Sequence, residues 1–361
     1  MHGSDNTKRF SKADLARRFR LDEFLAEKFI TAVASISLAT IILIFVFVFR
    51  EAIPLFTKTV DASVSVQQGE KQEDETYGEE FLGEGAKQLD AAQANKPSVE
   101  DPSHAESATL KNLISDTWQP VSAVPKYGLL PLVVGSLKVT VLALLFGAPL
   151  GILAALFTSS FAPIWSREYI KPIIELLAGF PSVVIGFFAL VTLATALQSA
   201  FGYQFRLNAL VGALAMALAV IPIIYTVAED ALTAVPRFMT EASLALGATR
   251  WQTALFVTLP AATPGVFAAV LLGFGRAFGE TMIVLMATGN AALMSLNPLE
   301  PIRTMSATIG AEMAEVVFGD THYHVLFFIG AVLFVFTFAL NAFAEFYIRQ
   351  RLLKRFRGAA S

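Results

Sequence analysis

Six runs of apolar residues, each about as long as a bilayer is thick, constrain this chain more than any other feature. They are Ile30 to Phe49, Leu129 to Phe157, Ile173 to Leu197, Leu207 to Ala228, Ala262 to Ala287 and Val325 to Ile348. A spanning helix needs about 20 mostly apolar residues. Inside hydrocarbon every backbone polar group must bond within the protein, so runs of this kind read as helices. The composition agrees: 55% of the 361 residues are hydrophobic and 16% are charged, against roughly 25% charged in soluble domains. The fold class is therefore all-α, a polytopic membrane protein with six transmembrane helices. The second run is long enough to tilt. The third and fifth carry glycines and flanking prolines, which membrane helices tolerate when neighbours satisfy the backbone.

Charge sets the expected orientation. Seven basic residues precede the first run: Lys8, Arg9, Lys12, Arg17, Arg18, Arg20 and Lys28. Five follow the last: Arg349, Arg351, Lys354, Arg355 and Arg357. Basic flanks mark the cytoplasmic side, so both termini are expected there, which requires an even number of spans. The organisation that follows is an N-terminal amphipathic segment (1–29), a first span (30–49), an acidic periplasmic loop (50–128), a core with five spans (129–348) and a basic cytoplasmic tail (349–361). Ser11 to Lys28 is expected to form a surface helix capped by Ser11, with Leu15, Phe19 and Phe29 among the basic residues. The loop is rich in Glu, Asp and Gly from Glu70 to Glu84 and offers few bulky apolar residues for packing. The first 28 residues lack the short apolar core and cleavage site of a secretory signal, so the first run reads as a retained anchor.

Several functions are excluded. With no cysteine there is no disulfide framework, thiolate zinc site or thiol nucleophile. His322 and His324 are too few for a metal site, and no metal or catalytic residue is expected. No Gly-x-x-x-x-Gly-Lys-Ser/Thr loop is present to cradle ATP. No nucleic-acid partner is expected either.

The most informative segment, 236–260, lies between the fourth and fifth runs. Thr240 can cap a short helix, with Glu241 favourable to the dipole in its first turn. Gly247 is placed to end that helix in a left-handed conformation. A second helix is expected from Ala248 or Thr249 to Pro260, with Leu244, Leu246, Trp251 and Phe256 offering apolar surface. Within this segment Glu241, Ala242 and Ser243 are followed, after three residues, by Gly247; nine residues later come Val257 and then Leu259-Pro260. This spacing resembles the signature of ABC-importer permeases, Glu-Ala-Ala, three residues, Gly, nine residues, Ile, one residue, Leu-Pro. Ser243 and Val257 are the two departures. The resemblance implies a type I importer permease whose signature segment forms coupling helices that dock in a groove of an ATPase subunit. It assigns Glu241, Ala242, Gly247, Leu259 and Pro260 to that coupling. The physical logic is a helix in a groove that transmits closure of the ATPase to the membrane.

Further stretches resemble the phosphate-specific branch, the PstC/PstA permeases: Gly135 to Thr140, Pro172 to Gly186, Gly275 to Met282, and Thr304 to Tyr323. The long acidic loop and the Trp118-Gln-Pro120 segment look more like PstC than PstA. That resemblance implies import of inorganic phosphate across a bacterial inner membrane. It implies a second related permease, an ATPase dimer that binds the ATP, and a periplasmic phosphate-binding protein as partners. The chain itself is not expected to be an enzyme or to hold a cofactor. A permease for another oxyanion, sulfate or molybdate, stays open, as does a stand-alone secondary transporter, against which the signature spacing argues.

Arg276 and Glu280 lie inside the fifth apolar run, where an ionised group costs about 2.5–3.5 kcal/mol to insert. Such residues face a bundle interior or a wet cavity. Their i, i+4 spacing allows a structural ion pair on one helix face. The other reading is an oxyanion site on the translocation path, with the planar fork of Arg276 matching phosphate and Glu280 limiting its hold. The resemblance favours the path role. Gly273, Gly275 and Gly279 permit close helix approach nearby. Among other charges, Lys138 can snorkel from the outer end of the second run, Glu175 reads as interfacial, and Glu229 and Asp230 as cytoplasmic. Arg303, Glu312 and Glu315 read as a solvated outer face.

Overall fold

The computed structural model describes residues 21–57, 110–122 and 124–347. Residues 11–20 of the expected Ser11 to Lys28 helix, the acidic Glu70 to Glu84 run, the basic tail and all the basic N-terminal residues except Lys28 lie outside them; residues 21–28 of that helix are described and run without a break into the first span. The chain divides into two units, Met1–Arg50 and Glu51–Ser361. In the first, the described residues belong to helix α1 (Leu21–Ala52), which contains the expected span Ile30 to Phe49.

The second unit opens with short helices α2 (Pro54–Thr57) and α3 (Leu110–Leu113). Two-residue strands β1 (Trp118–Gln119) and β2 (Lys126–Tyr127) then pair antiparallel. The helices that follow are α4 (Leu130–Ser160), α5 (Ile164–Ala178), α6 (Ser182–Phe201), α7 (Ala209–Thr233), α8 (Arg237–Ala245) and α9 (Arg250–Phe278). The chain continues through α10 (Met282–Ala287), α11 (Met305–Glu312) and α12 (Thr321–Tyr347). Among the described residues, five helices are long and apolar enough to cross a membrane: α4, α6, α7, α9 and α12. The protein is an all-α, multi-pass membrane protein.

The centre of the second unit is α7, which packs along α4 and α9. Its sequence alternates small and large apolar residues, and Ala209, Ala213, Ala215, Ala217 and Ala228 are all buried. Small residues let helix backbones approach closely where lipid tails remove the hydrophobic drive for association. Gly273 of α9 shows the same logic. A Cβ there would lie 2.7 Å from the Ile224 side chain of α7. Asn208 starts α7: its buried Oδ1 accepts from the Val211 N–H at 3.0 Å, a standard N-cap. Tyr225 donates to Thr158 Oγ1 at 3.2 Å, tying α7 to the end of α4. Away from this seam the helices turn large apolar side chains outward, such as Leu145, Leu150 and Leu153 on α4. That surface suits lipid.

Two apolar runs do not form the helices expected of them. The third is cut at Gly179–Pro181, so that Ile164–Ala178 is a separate helix and the membrane-length helix begins at Ser182. Proline disfavours helical geometry in the residue before it, here Phe180. The fifth run begins its helix at Arg250, well before Ala262, and ends it at Phe278. A break at Gly279–Thr281 then precedes α10.

Candidate functional site

The signature segment folds as two helices joined by a tight turn. Helix α8 begins at Arg237, directly after Pro236, whose φ of −58° is set by its ring. Thr240 therefore lies inside the helix and does not cap it; its hydroxyl donates to the Arg237 carbonyl at 2.7 Å. Glu241 correspondingly sits past the first turn. Gly247 has φ +87°. The Gly247 N–H donates to Leu244 O at 3.0 Å and the Ala248 N–H to Ser243 O at 3.2 Å. These two bonds form a Schellman motif, in which a left-handed residue satisfies the last helical carbonyls. A side chain at Gly247 would meet no neighbour within 4 Å, so glycine is required by the backbone and not by space.

The second helix opens on a capping box that the sequence reading passed over. Gln252 N–H donates to Thr249 Oγ1 at 3.2 Å, and Thr249 N–H to Gln252 Oε1 at 2.8 Å. Helix α9 does not stop at Pro260. A wide π turn at Ala254–Thr258 precedes the proline, and the helix continues to Phe278. Pro260 has no N–H for the carbonyl four residues back, Phe256, and its ring crowds that carbonyl in a regular α-helix. The π turn relaxes the ladder at that place. Leu259 and Pro260 thus lie at the junction where α9 resumes α geometry. Leu244, Leu246, Trp251 and Phe256 are all exposed, Leu246 to 89%. The segment presents an apolar surface with a rigid, doubly capped turn at its centre.

Arg276 lies in the last turn of α9 and Glu280 in the break that follows. At 1.5 Å per residue, Arg276 is about 39 Å along α9 from Arg250. It stands at the far end of the helix, not partway along it as the sequence suggested. A cation there is favoured by the C-terminal helix dipole. The i, i+4 ion pair does not form, because the helix ends between the two residues. Among the described residues, neither side chain has a hydrogen-bond or ion-pair partner within 4.0 Å; Arg276 is exposed and Glu280 half-buried. The break itself is anchored: Ser306 of α11 donates to the Glu280 carbonyl at 2.7 Å. Of the three nearby glycines, only Gly273 marks a close approach; a Cβ on Gly275 or Gly279 would make ordinary contacts of 3.7 Å or more.

Of the three residues read as a solvated face, Glu315 is exposed as expected, but Arg303 and Glu312 join a largely buried polar cluster instead. Glu312 accepts from Arg303 at 2.6 Å, from the His322 ring at 2.9 Å and from Trp118 Nε1 at 3.2 Å. Arg303 Nε also donates to Asn290 Oδ1 at 3.2 Å. Burial raises the Glu312 carboxyl pKa. The His322 hydrogen bond and the Arg303 charge outweigh it, leaving the group below the usual carboxylate range. Tyr127, packed on His322 and Trp118, is pushed up to about 12 by burial and then by Asp320 and Glu312. Glu315 takes no part in these bonds. His324 instead bonds the Glu51 carbonyl at 2.8 Å.

Two other charges, Lys138 and Lys171, make bonds within the chain. Lys138 donates to the carbonyl of Ser295 at 3.0 Å and to that of Asn297, pinning α4 to the loop after α10. Lys171 of α5 bonds Glu229 at 3.0 Å and Asp230 at 3.2 Å. These bonds hold its pKa above the usual lysine range. Glu175 is exposed beside Phe180 and Pro181 at the break between α5 and α6.

Residues 147–353 match the model of the binding-protein-dependent transport system inner membrane component family. The chain belongs to that family. The match takes in the whole of the signature segment and Arg276. This inner membrane component is 38% identical over 226 residues to the probable ABC transporter permease protein YqgH of Bacillus subtilis (strain 168), covering 63% of this chain and 73% of the relative. It is 33% identical over 253 residues to the phosphate transport system permease protein PstC of Mesorhizobium japonicum, covering 65% and 76%. To PstC 1 of Mycobacterium tuberculosis it is 34% identical over 246 residues, covering 62% and 73%. Among solved structures, a bacterial alginate ABC transporter in complex with an alginate pentasaccharide-bound periplasmic protein aligns at a TM-score of 0.50 and 15% identity. That alignment covers 92% of this chain and 98% of the other, and it shows the fold alone.

Proposed function

We propose that this chain is a permease subunit of an ATP-driven importer that carries inorganic phosphate inward across the bacterial inner membrane. The reading rests on the PstC permeases that it resembles over about three quarters of their length. Arg276 gives that reading a mechanism. It is a guanidinium with no partner among the described residues, at the end of a helix and beside a backbone break. Such a group offers a planar, permanently charged fork to a phosphate oxygen without first surrendering an internal ion pair. Glu280, four residues on and equally without a partner, keeps the hold on an anion reversible.

The arrangement works as follows. Six spans place both termini in the cytoplasm, and α8 with the start of α9 faces an ATPase pair that binds the ATP. The exposed Leu244, Leu246, Trp251 and Phe256 fill the ATPase groove, and the turn at Gly247 transmits its closure. A second related permease completes the path, and a periplasmic phosphate-binding protein delivers the anion. The periplasmic protein bound to the structurally similar alginate transporter supports a partner of that kind.

Labelled-phosphate uptake in a strain lacking this chain tests the proposal, with wild type or Arg276→Ala restored to equal membrane levels. Uptake restored by wild type and lowered about 100-fold or more by the variant is the expected outcome, on the scale of losing a charge-stabilising contact. Full uptake with Arg276→Ala removes Arg276 from the path. Unchanged phosphate uptake in the deletion strain, with sulfate or molybdate uptake lost instead, overturns the substrate.

A further inference from the structure

Beside the signature segment lies a cavity of about 290 Å³, the liquid volume of roughly ten waters. It is open on one side, and its walls are the end of α4, α5, the end of α7, and α8 and α9. Three arginines line it, Arg167, Arg237 and Arg250, and no Asp or Glu does. The hydroxyls of Ser160, Thr240 and Thr258 share the same walls.

The three guanidiniums are differently held. Arg167 is half-buried and fixed, its Nε donating to Ala162 O at 3.0 Å and its Nη2 to Ser159 O at 2.8 Å. Two of its five N–H groups are thereby used, and both on Nη1 are left. Arg237 and Arg250 are exposed and have no hydrogen-bond or ion-pair partner among the described residues. Each is the first residue of its helix, and neither helix has an acidic residue in its first turn. A cation at a helix N-terminus opposes the dipole, so both positions add positive potential that no acidic residue lining the cavity offsets. Of the acids close in sequence, Glu229 is already held by Lys171 and Thr233, and Glu241, one turn on from Arg237 in α8, is exposed and does not line the cavity.

We propose that this cavity is an anion site, distinct from Arg276, that binds a phosphate-type oxyanion, either free or as the headgroup of an anionic lipid. Arg167 supplies a pre-set fork, and Arg237 and Arg250 close on the anion from the two helices of the signature segment. Occupancy links α4 and α5 to α8 and α9 through one shared charge. The site stands on its own geometry and does not depend on phosphate being the transported substrate.

The test uses the full-length chain in nanodiscs, with thermal midpoints followed as inorganic phosphate is titrated at constant ionic strength. In phosphatidylcholine discs the midpoint rises with phosphate for wild type and for Arg276→Ala. The apparent Kd is at least about tenfold weaker in Arg237→Gln/Arg250→Gln, as expected for losing charge-assisted contacts. The charge-conserving Arg237→Lys/Arg250→Lys pair, which keeps the attraction but not the fork, falls between. If phosphatidylglycerol discs raise the midpoint without phosphate, and only when both arginines are present, the site stands and its ligand is a headgroup. Equal responses of wild type and the double Gln variant to both ligands overturn it, leaving the arginines to meet an acidic surface of a partner protein. Loss of the phosphate response in Arg276→Ala alone overturns it equally.

Discussion

At one end of α9, Phe278 packs into a cluster with Trp118, Tyr127 and Met305. Within reach of that cluster Glu312 is shared by Arg303, His322 and Trp118. At the other end Arg237 and Arg250 stand exposed and, among the described residues, without hydrogen-bond or ion-pair partners, beside the exposed Leu244, Leu246 and Trp251. The first region has met its electrostatic and apolar needs within the chain. The second has met its backbone needs, through a Schellman turn and a capping box, and has joined Ser243 to Thr253, but leaves its large apolar side chains and two arginines exposed. A region that is rigid in backbone and unsatisfied in side chain is what a docking element requires, because binding then orders little. On the function proposed above, the closed cluster serves architecture and the open segment serves a partner.

That contrast can be broken at four places. Glu312→Ala leaves the largely buried Arg303 with Asn290 but without its counter-charge and is expected to destabilise the chain by about 3 kcal/mol, read as a large fall in thermal midpoint in detergent. The same group gives a pH test. Its folded pKa is below the unfolded value, so its contribution is present above the ordinary carboxylate pKa of 4.5 and is lost as pH falls through the lower folded value. Wild type should therefore lose stability on acidification below that point more steeply than Glu312→Gln. An equal slope would place the cluster's stability elsewhere. Next in size, Gly247→Val forces a β-branched residue into φ +87° at about 1–3 kcal/mol of local strain. Substrate uptake should collapse while the chain still reaches the membrane, and intact uptake would detach the turn from coupling. Thr249→Ala removes one half of the capping box and should cost about 1 kcal/mol, visible as faster amide exchange in the first turn of α9. Smallest on the isolated chain is Leu246→Ser, within about 0.5 kcal/mol because the side chain is already exposed. Its effect should appear only as weaker retention of the ATPase.

How much of this was legible follows from what each feature depends on. Helices α4 and α7 were readable because a long apolar run is itself the signal, and their observed bounds differ from the reading by only a few residues. The break at Gly179–Pro181 carried a local sign, a residue before proline, that the apolar run obscured. The break at Gly279 carried only a single glycine, which helices tolerate, and the Arg276–Glu280 pair that the spacing allowed is lost with it. The capping box was spelled out by Thr249 and Gln252 but overshadowed by the larger signature. Glu312 could not be read at all. Its partner Trp118 is 194 residues away, and no sequence period brings such residues together. The spacing from Glu241 to Pro260 was visible from the sequence alone, but it could not say that the helix runs on through the proline.

The π turn at Ala254–Thr258 acts as a phase shifter. It places one extra residue in the coil, so everything beyond it is rotated by about 100° relative to a regular helix. The face on which Arg276 emerges is therefore set, relative to the Gly247 turn, by a single inserted residue. In the proposed coupling, push and torque applied at the Gly247 turn would travel along α9, a continuous rod from Arg250 to Phe278 whose gearing is fixed at that point. Deleting one residue between Ala254 and Thr258 would return the rod to regular pitch and turn the arginine to a different neighbour, with every side chain of both regions intact.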